Sequence, residues 1–496
     1  MNRKPLWLSE DDARRVLLVR SIETEDSDSV VLTRDDRQYA TSAALSAAPL
    51  REQSDRRETG VFLAKRAGLA LDRLMARYPT LSRVCGLSRW PHWVGWAVPL
   101  AALAAGFATD SLEGGRLNVL AFPLLGMIAW NLAVYVWILI QALRGRRRSG
   151  RPLLGLLERL VRPAAARLAA QPTLERGVQA FARDWSTVAA PLTRNRASRT
   201  LHLAAALFAV GILAGMLIRA RYTAEYSAGW AGTWAGAETE IAALLGVILA
   251  PASFLTGIAL PTAERLRDLR GGGENAGDWL ILWTVTTALL VIVPRMVLAV
   301  LHGLRAAVLK RRLPIQSEDF YVRSLVRNAI GRAVAVRVVP YSFVLAEPIR
   351  AQLRAMLIRA LGDKTRVEFE QLAYGEEDEW LAREGDRLGS ADQIILLFNL
   401  GSTPEAENHG AFVAGVKQRA TAAGAGLTAL LDDTAFRRKL SSGPSTEQRV
   451  KDRVQAWKTV LAAYDVDPVV LALDSADEPA GARALEQAML RMPAFA

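Results

Sequence analysis

The chain has 496 residues, of which 51% are hydrophobic and 23% charged, and its net charge is +12 at pH 7. This length and composition suit a protein with lipid-facing segments and one or two folded domains. Its single cysteine, Cys85, excludes an intrachain disulfide and a thiolate metal cluster. The excess arginines lie beside apolar segments and match no nucleic-acid-binding motif, so we expect no nucleic acid, metal or cofactor.

The N-terminal region, residues 1–90, is predicted to be helical and cytoplasmic. Ser9 followed by Glu10, Asp11 and Asp12 is typical of a helix start. The serine side chain caps the first backbone amides, and the acidic side chains interact favourably with the helix dipole. No apolar core of a signal peptide follows the first residues, so we expect no cleavage.

Residues 91–310 form the predicted membrane region. A bilayer core needs about 20 mostly apolar residues of helix to span it, and backbone groups in hydrocarbon must be satisfied within the helix. Four spans are predicted, at about residues 93–108, 117–143, 201–218 and 279–301.

The distribution of arginine predicts the orientation of these spans. The loop 144–199 is rich in arginine and has few acids, whereas residues 219–278 carry five arginines against seven acids. Positive residues near span ends are retained on the cytoplasmic side. We therefore expect the arginine-rich loop and both termini in the cytoplasm, and the loop 219–278 in the periplasm.

A fifth apolar stretch, residues 241–260, is predicted to be an amphipathic or re-entrant helix at the outer leaflet. Pro251 interrupts it, and a fifth crossing would carry the basic run Lys310–Arg312 to the outer side. The alternative is a fifth span, which would place the C-terminal domain outside.

Two intramembrane polar residues, Asn131 and Arg295, are candidates for function because such groups are costly in lipid. For Asn131 we favour an interhelical hydrogen bond, and the alternative is a polar path. Arg295 follows Pro294 near the inner end of the fourth span, where its side chain is expected to extend to the headgroups. Gly211 and Gly215 form a G-x-x-x-G pattern that favours close helix packing.

Residues 311–496 are predicted to form a cytoplasmic α/β domain. Continuous apolar runs alternate with helical segments, which is typical of a mostly parallel sheet covered on both faces. The predicted strands are Val336–Val339, Val367–Phe369, Gln393–Phe398, Leu427–Leu431 and Val469–Leu473. No G-x-x-x-x-G-K-[ST] motif occurs, so the chain has no recognisable loop for a nucleoside triphosphate.

Polar residues collect in the loop 399–410, after one predicted strand. Ser402 and Glu405 have capping-box spacing, which favours a structural role. The alternatives are partner contact and general base catalysis by His409, oriented by Glu405 or Glu407. We assign no catalytic residue, and the candidate partner contacts are Asn399, Thr403, Glu405, Glu407, Asn408, His409 and Asp432.

Three segments, Leu117–Tyr135, Val293–Arg295 and Thr403–Gly410, resemble a family of bacterial inner-membrane proteins that is known only as a domain of unknown function. The resemblance covers most of the chain and implies an inner-membrane location with four spans and a cytoplasmic C-terminal domain. Members tend to be encoded beside a membrane-associated GTPase, so the resemblance also implies a GTPase partner.

The function we predict is that of a non-enzymatic inner-membrane scaffold or anchor. Its α/β domain would dock a partner through the loop 399–409 and the basic helix 437–457. The alternatives are a membrane-anchored hydrolase that uses the same loop and a small-solute channel or transporter lined by Asn131. The bilayer is the other expected partner, and self-association is left open.

Overall fold

The structure is a computed structural model of the chain, and most of it is helical. The stretch 144–170, which is about half of the predicted arginine-rich loop, lies outside the described residues. The structure describes residues 5–26, 29–51, 53–109, 116–120, 122–143, 171–222, 225–230, 236–271, 273–315, 320–385, 387–440, 444–474 and 477–490.

The described α-helices are, in chain order, α1 (Glu10–Glu25), α2 (Arg34–Ala47), α3 (Arg56–Arg77), α4 (Leu81–Leu87), α5 (Val94–Ala108), α6 (Phe122–Leu143), α7 (Pro172–Val188), α8 (Ala190–Tyr222), α9 (Glu238–Thr256), α10 (Ala263–Gly271), α11 (Gly277–Thr287), α12 (Val293–Arg311), α13 (Phe320–Ile330), α14 (Glu347–Leu361), α15 (Glu377–Glu384), α16 (Ala411–Ala423), α17 (Thr434–Lys439), α18 (Pro444–Ala462) and α19 (Glu478–Leu490). Single turns of other helix types are the π-helical Ala288–Ile292 and Ala406–Gly410 and the 3₁₀ turn Arg387–Ser390.

The described strands are β1 (Leu6–Leu8), β2 (Arg116–Asn118), β3 (Ser227–Gly229), β4 (Glu274–Asn275), β5 (Leu313–Ile315), β6 (Ala335–Pro340), β7 (Arg366–Phe369), β8 (Gln393–Asn399), β9 (Gly426–Asp432) and β10 (Val469–Leu471).

The chain divides into two compact units. Among the described residues, the first unit contains 5–88, 171–188 and 312–490, and the second contains 89–143 and 189–311. The sequence predicts the N-terminal region and the α/β domain as separate domains, whereas the structure joins them, together with α7, in one unit.

The sheet of the first unit has five parallel strands in the order β10-β9-β8-β6-β7. The central strand β8 is buried from Gln393 to Phe398, and Ile395 lies between Val338 and Thr428 of its neighbours. Ile394, Leu396 and Phe398 pack with α16 and α18. The apolar runs predicted as strands form this sheet, so the predicted parallel-sheet region is confirmed.

The N-terminal helices belong to the same unit as this sheet. Strand β1 pairs antiparallel with β5, so that Leu6 lies opposite Ile315. Arg66 of α3 donates to both carboxylate oxygens of Glu23 on α1, at 2.8 and 3.1 Å. Tyr321 of α13 donates to the same carboxylate at 2.5 Å. This buried cluster connects segments nearly 300 residues apart in sequence.

Helix α7, from the loop between the second and third predicted spans, packs against α1. A Cβ atom at Gly177 would lie 2.9 Å from the Cα atom of Ile22, so only glycine allows this approach. Arg20 and Asp184 form an ion pair at 3.3 Å. The described part of this loop is therefore an integral part of the first unit.

In the second unit, α5 and α8 pack closely through glycine. Cβ atoms at Gly106 and Gly211 would each lie 2.2 Å from a carbonyl oxygen of the facing helix, those of Phe208 and Leu103 respectively. A Cβ atom at Gly215 would lie 2.7 Å from the carbonyl oxygen of the next turn of α5. The close approach predicted from the G-x-x-x-G pattern is confirmed, because side chains larger than hydrogen cannot fit there.

Helices α8 and α12 run antiparallel. Asn195, near the start of α8, contacts His302 in the middle of α12, and His202, two turns further along α8, contacts Arg295 at the start of α12. By contrast α5 runs parallel to α8, because Gly211 and Gly215 follow Leu103 and Phe107 in the same direction.

A three-stranded sheet, β2-β3-β4, brings three connections of the second unit together. It also corrects the predicted second span, which was expected to start at Leu117. Leu117 and Asn118 lie in β2, paired with Ala228 and Gly229, and helix α6 starts only at Phe122. Pro123 suits the first turn of that helix, where its missing N–H costs nothing.

After α9 the chain turns back and returns to the first residue of that helix. Gly257 ends α9 with a φ of 75°, a left-handed conformation that favours glycine. Arg270 of α10 then forms an ion pair at 3.2 Å with Glu238, the first residue of α9. The exposed side of α9 carries Val247 and Phe254, so the helix is apolar on its exposed as well as its packed side.

Three helical segments are long and apolar enough to cross a membrane: Ala190–Tyr222, Glu238–Thr256 and Gly277–Arg311. The first two predicted spans correspond to shorter apolar helices, Val94–Ala108 and Leu125–Gln141. The structure is thus compatible with a membrane protein. Four spans remain a prediction, since α9 meets the criteria that α5 does not.

Candidate functional site

The order of the parallel sheet identifies one candidate site in the first unit. When the strands are numbered by their order in the chain, they lie across the sheet in the order 2-1-3-4-5. Successive strands are therefore added on one side of β6 and then on the other, and the switch point lies between β6 and β8. In open parallel sheets, ligand crevices lie beyond the strand C-termini at such a switch point. The segments that border it are 341–346 and 400–410, and the second contains most of the predicted contact residues.

His409 fills the base of this crevice. Its side chain is buried, and its ring centroid lies 4.8 Å from that of Tyr341 and 4.9 Å from that of Trp457. The backbone N–H of Glu405 donates to its Nδ1 at 3.2 Å. Burial lowers the pKa of His409, although the charges of Glu405 and Glu377 oppose this shift. The ring is therefore a neutral member of an aromatic cluster.

The structure places two features of this loop differently from the sequence expectation. His409 was expected at a contact surface, but its ring is buried against the rings of Tyr341, Phe398 and Trp457. The expected capping box is also absent among the described contacts. Ala406 begins a π-helical turn, and its preceding residue has no side-chain cap bond.

Asp432 is likewise a structural residue, contrary to its assignment as a partner contact. It is buried at the end of β9, and its Oδ1 accepts from the hydroxyl of Thr434 at 2.6 Å and from the N–H of Leu473 at 3.2 Å. The physical reason is its place on an interior strand, where the carboxylate satisfies the amides of the adjoining turn. Asn399 plays a similar part, accepting from the N–H of Gly401 at 2.8 Å.

An exposed polar rim surrounds the filled crevice. Thr403, Glu405 and Glu407 are exposed. Asn408 donates to the carboxylate of Glu405 at 2.6 Å and to the hydroxyl of Tyr374 at 2.8 Å. The Tyr374 side chain is itself 59% exposed. We define these five residues as the strand-end rim.

The rim adjoins an acidic segment that begins after Tyr374. The hydroxyl of Tyr341 donates a hydrogen bond to the carboxylate of Glu377, and the N–H of Gly375 donates to the same carboxylate at 3.1 Å. Burial acts to raise the pKa of Glu377, but these hydrogen bonds outweigh it, so the pKa lies below its usual value. An ionised Glu377 therefore adds to the negative charge of the rim.

The second candidate site is a buried polar cluster in the second unit. Arg295 donates through Nε to Oδ1 of Asn131 at 2.7 Å and through a terminal nitrogen to Nδ1 of His202 at 3.1 Å. Its guanidinium lies 5.3 Å from the ring centroid of Tyr135. Asn131 also donates to the carbonyl of Met127 at 2.7 Å. We call Asn131, Tyr135, His202 and Arg295 the helix-core cluster.

The position of Arg295 corrects the prediction that it extends to the headgroups. Its side chain is 7% exposed and turns inward. Pro294 cannot donate to a carbonyl one turn earlier, and the helix widens there into the π-helical turn Ala288–Ile292, in which the N–H of Val293 bonds to Ala288. The interhelical hydrogen bond predicted for Asn131 is present, and its donor is Arg295.

Sequence reasoning missed the two histidines of this region. His202 stacks on His302 with a centroid distance of 5.4 Å, and Asn195 is 2.8 Å from Nδ1 of His302. The signal was available, because His202 lies one residue inside the predicted third span. A cavity of about 760 Å³ borders the cluster, lined by Asn131, Arg295, Trp130, Phe208 and other residues.

Neither site has the composition of a metal centre. Within the described parts of the chain, no group of three or more His, Cys, Asp or Glu side chains is arranged to hold a metal ion. Comparisons with protein-family models, curated proteins and solved structures find no match to this chain. The family resemblance drawn from the sequence motifs therefore stays a prediction.

Proposed function

We propose that the protein is a non-enzymatic membrane anchor of the bacterial inner membrane, whose first unit lies in the cytoplasm and docks a partner protein. The choice of a GTPase as partner comes from the resemblance alone. The location and the docking surface have separate support from the structure.

The first unit is built from three separate stretches of the chain, which supports an even number of membrane crossings between consecutive stretches. Residues 5–88, 171–188 and 312–490 fold together, although the apolar helices separate them in sequence. The hydrogen bond from Tyr321 to Glu23 and the ion pair between Arg20 and Asp184 join these segments, so the segments must lie on one side of a bilayer. The positive residues next to the apolar helices favour the cytoplasmic side.

The geometry of the second unit supports a re-entrant rather than a spanning α9. If α8 and α12 both cross the bilayer, their antiparallel packing requires an even number of crossings between them. The chain after α9 returns to its starting end, where Arg270 pairs with Glu238. A crossing by α9 alone would leave these two residues about 30 Å apart.

The strand-end rim supports protein docking over catalysis. The crevice at the switch point is filled by the protein's own aromatic side chains, and Nδ1 of His409 already accepts a hydrogen bond from a backbone N–H. A small substrate would have to displace this core. The rim itself is exposed, polar and acidic, with Tyr374 as an aromatic contact, a combination that suits a basic protein surface. This filled crevice with its exposed rim carries the docking proposal.

The test is a comparison of two charge reversals in the full-length protein. Glu407→Lys alters the rim. Asp363→Lys makes the same charge change on an exposed turn that precedes β7, at the end of the sheet where the parallel strands begin. Each variant is purified from its native host in mild detergent, and the co-purifying protein is then produced pure and its affinity measured.

We expect Glu407→Lys to weaken the affinity for that protein at least tenfold and Asp363→Lys to leave it within about twofold. Equal affinity for both variants would contradict docking at the rim. Binding of a partner other than a GTPase would retain the docking proposal and discard the GTPase.

The cavity beside the helix-core cluster favours a second candidate function, movement of a small anionic solute. Arg295 supplies a positive charge and Asn131 a polar group on its wall. Liposomes containing the purified protein and an anion-sensitive dye would report chloride influx. Flux that is lost in Asn131→Leu would support this function, and the absence of flux above that of empty liposomes would remove it.

A further inference from the structure

A basic pocket lies at one end of α5, α8 and α12. Its volume is about 260 Å³, and its charged lining residues are Arg196 and Arg199 of α8 and Lys310 of α12. Trp90, which precedes α5, and Trp96, in the first turn of α5, form another wall. The three helices contribute these residues from the same end of the second unit, because α5 and α8 are parallel and α12 is antiparallel to both.

The pocket has an unusual charge balance. No aspartate or glutamate occurs in residues 89–109, 190–222 or 293–312, which supply all of its walls. The segments that form the pocket therefore contribute positive charge and no negative charge. Three cations around one concave site suit a phosphate group, which accepts charge-assisted hydrogen bonds from arginine and lysine.

Glycine shapes the floor of the pocket. A Cβ atom at Gly303 would lie 3.5 Å from Cδ and 3.7 Å from Nε of Arg199. The arginine side chain thus passes directly over Gly303, and a large side chain at this position would occupy the space beside its guanidinium. This contact offers a way to fill the pocket without altering any charge.

The surface next to the pocket distinguishes a lipid from a soluble phosphate. Leu201, two residues after Arg199, and Leu304, which follows Gly303, are 65% and 61% exposed. Trp96 is also mostly exposed, as expected for a ring at headgroup level. A ligand with a phosphate in the pocket would have apolar surface beside it for acyl chains.

We propose that this pocket binds the headgroup of an anionic phospholipid, with Arg199 and Lys310 contacting the phosphate. Basic pockets between membrane helices on the cytoplasmic side are suited to such headgroups. The site rests on the proposed membrane location and is independent of the strand-end rim, so failure of partner docking leaves it intact.

The test uses the full-length protein, delipidated in a neutral maltoside detergent. Phosphatidylglycerol, phosphatidylcholine and inorganic phosphate are titrated separately, and native mass spectrometry measures bound lipid while thermal unfolding measures stabilisation. We expect phosphatidylglycerol to bind and to raise the unfolding midpoint, and the other two compounds to do neither.

Two pairs of substitutions make the result specific. Arg199→Gln with Lys310→Gln should weaken phosphatidylglycerol binding about tenfold. Arg305→Gln with Arg311→Gln removes the same charge from exposed positions of α12 outside the pocket and should change binding by no more than about twofold. Gly303→Leu keeps every charge and should weaken binding as strongly as the first pair.

Three outcomes would overturn the proposal. Equal loss in both charge pairs would indicate diffuse electrostatic attraction, and equal binding of phosphatidylcholine would remove the requirement for an anion. Stabilisation by inorganic phosphate alone would assign the pocket to a soluble anion. Should the first pair fail to fold, as judged by circular dichroism, Gly303→Leu decides the question.

Discussion

Arg66 of the first unit and Arg295 of the second unit are both buried, but they have different partners. In the first unit Arg66 is held by Glu23, and Arg37 lies 3.9 Å from the same carboxylate. In the second unit the described hydrogen-bond partners of Arg295 are Asn131 and His202, both without negative charge. Burial acts to raise the pKa of Glu23, but the charges of Arg66 and Arg37 and the hydrogen bonds from Arg66 and Tyr321 lower it overall.

This difference indicates how each unit is stabilised. The first unit has a buried ion pair between α1 and α3, and the loss of either partner would leave a buried charge. The second unit relies on close helix packing, and its arginine adds hydrogen bonds between helices at the cost of a buried charge without a carboxylate. Four substitution experiments test this contrast.

The sharpest test applies one substitution to both arginines. Arg66→Met leaves the Glu23 carboxylate without its bidentate partner and should lower the free energy of unfolding by about 3 kcal/mol. Arg295→Met removes the buried charge as well as its hydrogen bonds and should cost about 1 kcal/mol or less. Thermal unfolding in detergent measures both, and equal costs would refute the contrast.

Helix packing in the second unit is tested at Gly211. Leucine there would place its Cβ atom against the backbone of α5, so Gly211→Leu should lower the free energy of unfolding by about 2 to 3 kcal/mol. Gly246→Leu is the matched control, since nothing lies within 4 Å of a Cβ atom at that glycine in α9. A similar small effect of both substitutions would mean that α5 and α8 do not pack this way.

The hydrogen bonds of the helix-core cluster are tested at Asn131. Asn131→Leu leaves Nε of Arg295 without its acceptor and should cost about 1 to 2 kcal/mol. The double variant with Arg295→Met should recover part of that cost, because no donor then remains unpaired. Strictly additive effects of the two substitutions would show that the side chains are not coupled.

The smallest expected effect is a pH dependence from His409. Its pKa is lowered in the folded protein, so the unfolded chain binds more protons below the ordinary histidine pKa of about 6.5. Its contribution to stability is complete above pH 6.5 and declines as pH falls, by at most about 1.4 kcal/mol per pH unit. His409→Gln retains an acceptor without titrating and should flatten the unfolding midpoint between pH 6.5 and 5. An unchanged slope would assign the pH dependence to other groups.

The elements that depend on local pattern were predictable from the sequence. Apolar runs such as Gln393–Phe398 are strands because burial on both faces requires continuous apolar residues. The spacing of Gly211 and Gly215 predicted close packing, because residues four apart share one helix face.

Features that depend on long-range contacts were not predictable in this way. Nothing local to Arg295 reveals that Asn131, 164 residues earlier, lies at the same depth and supplies an acceptor. His409 has an exposed-looking polar neighbourhood in sequence, but Tyr341 and Trp457 arrive from other elements to cover it. The three-residue pairing of β1 with β5 carries no sequence signal strong enough to join the two ends of the chain.

The central claim is that the first unit lies wholly on the cytoplasmic face. In a Cys85→Ser background, single cysteines at two exposed positions, Val344 in the first unit and Glu225 in the second, are exposed to a membrane-impermeant maleimide in spheroplasts. We predict labelling of Glu225→Cys in intact spheroplasts and of Val344→Cys only after lysis. Labelling of Val344→Cys in intact spheroplasts would contradict the account.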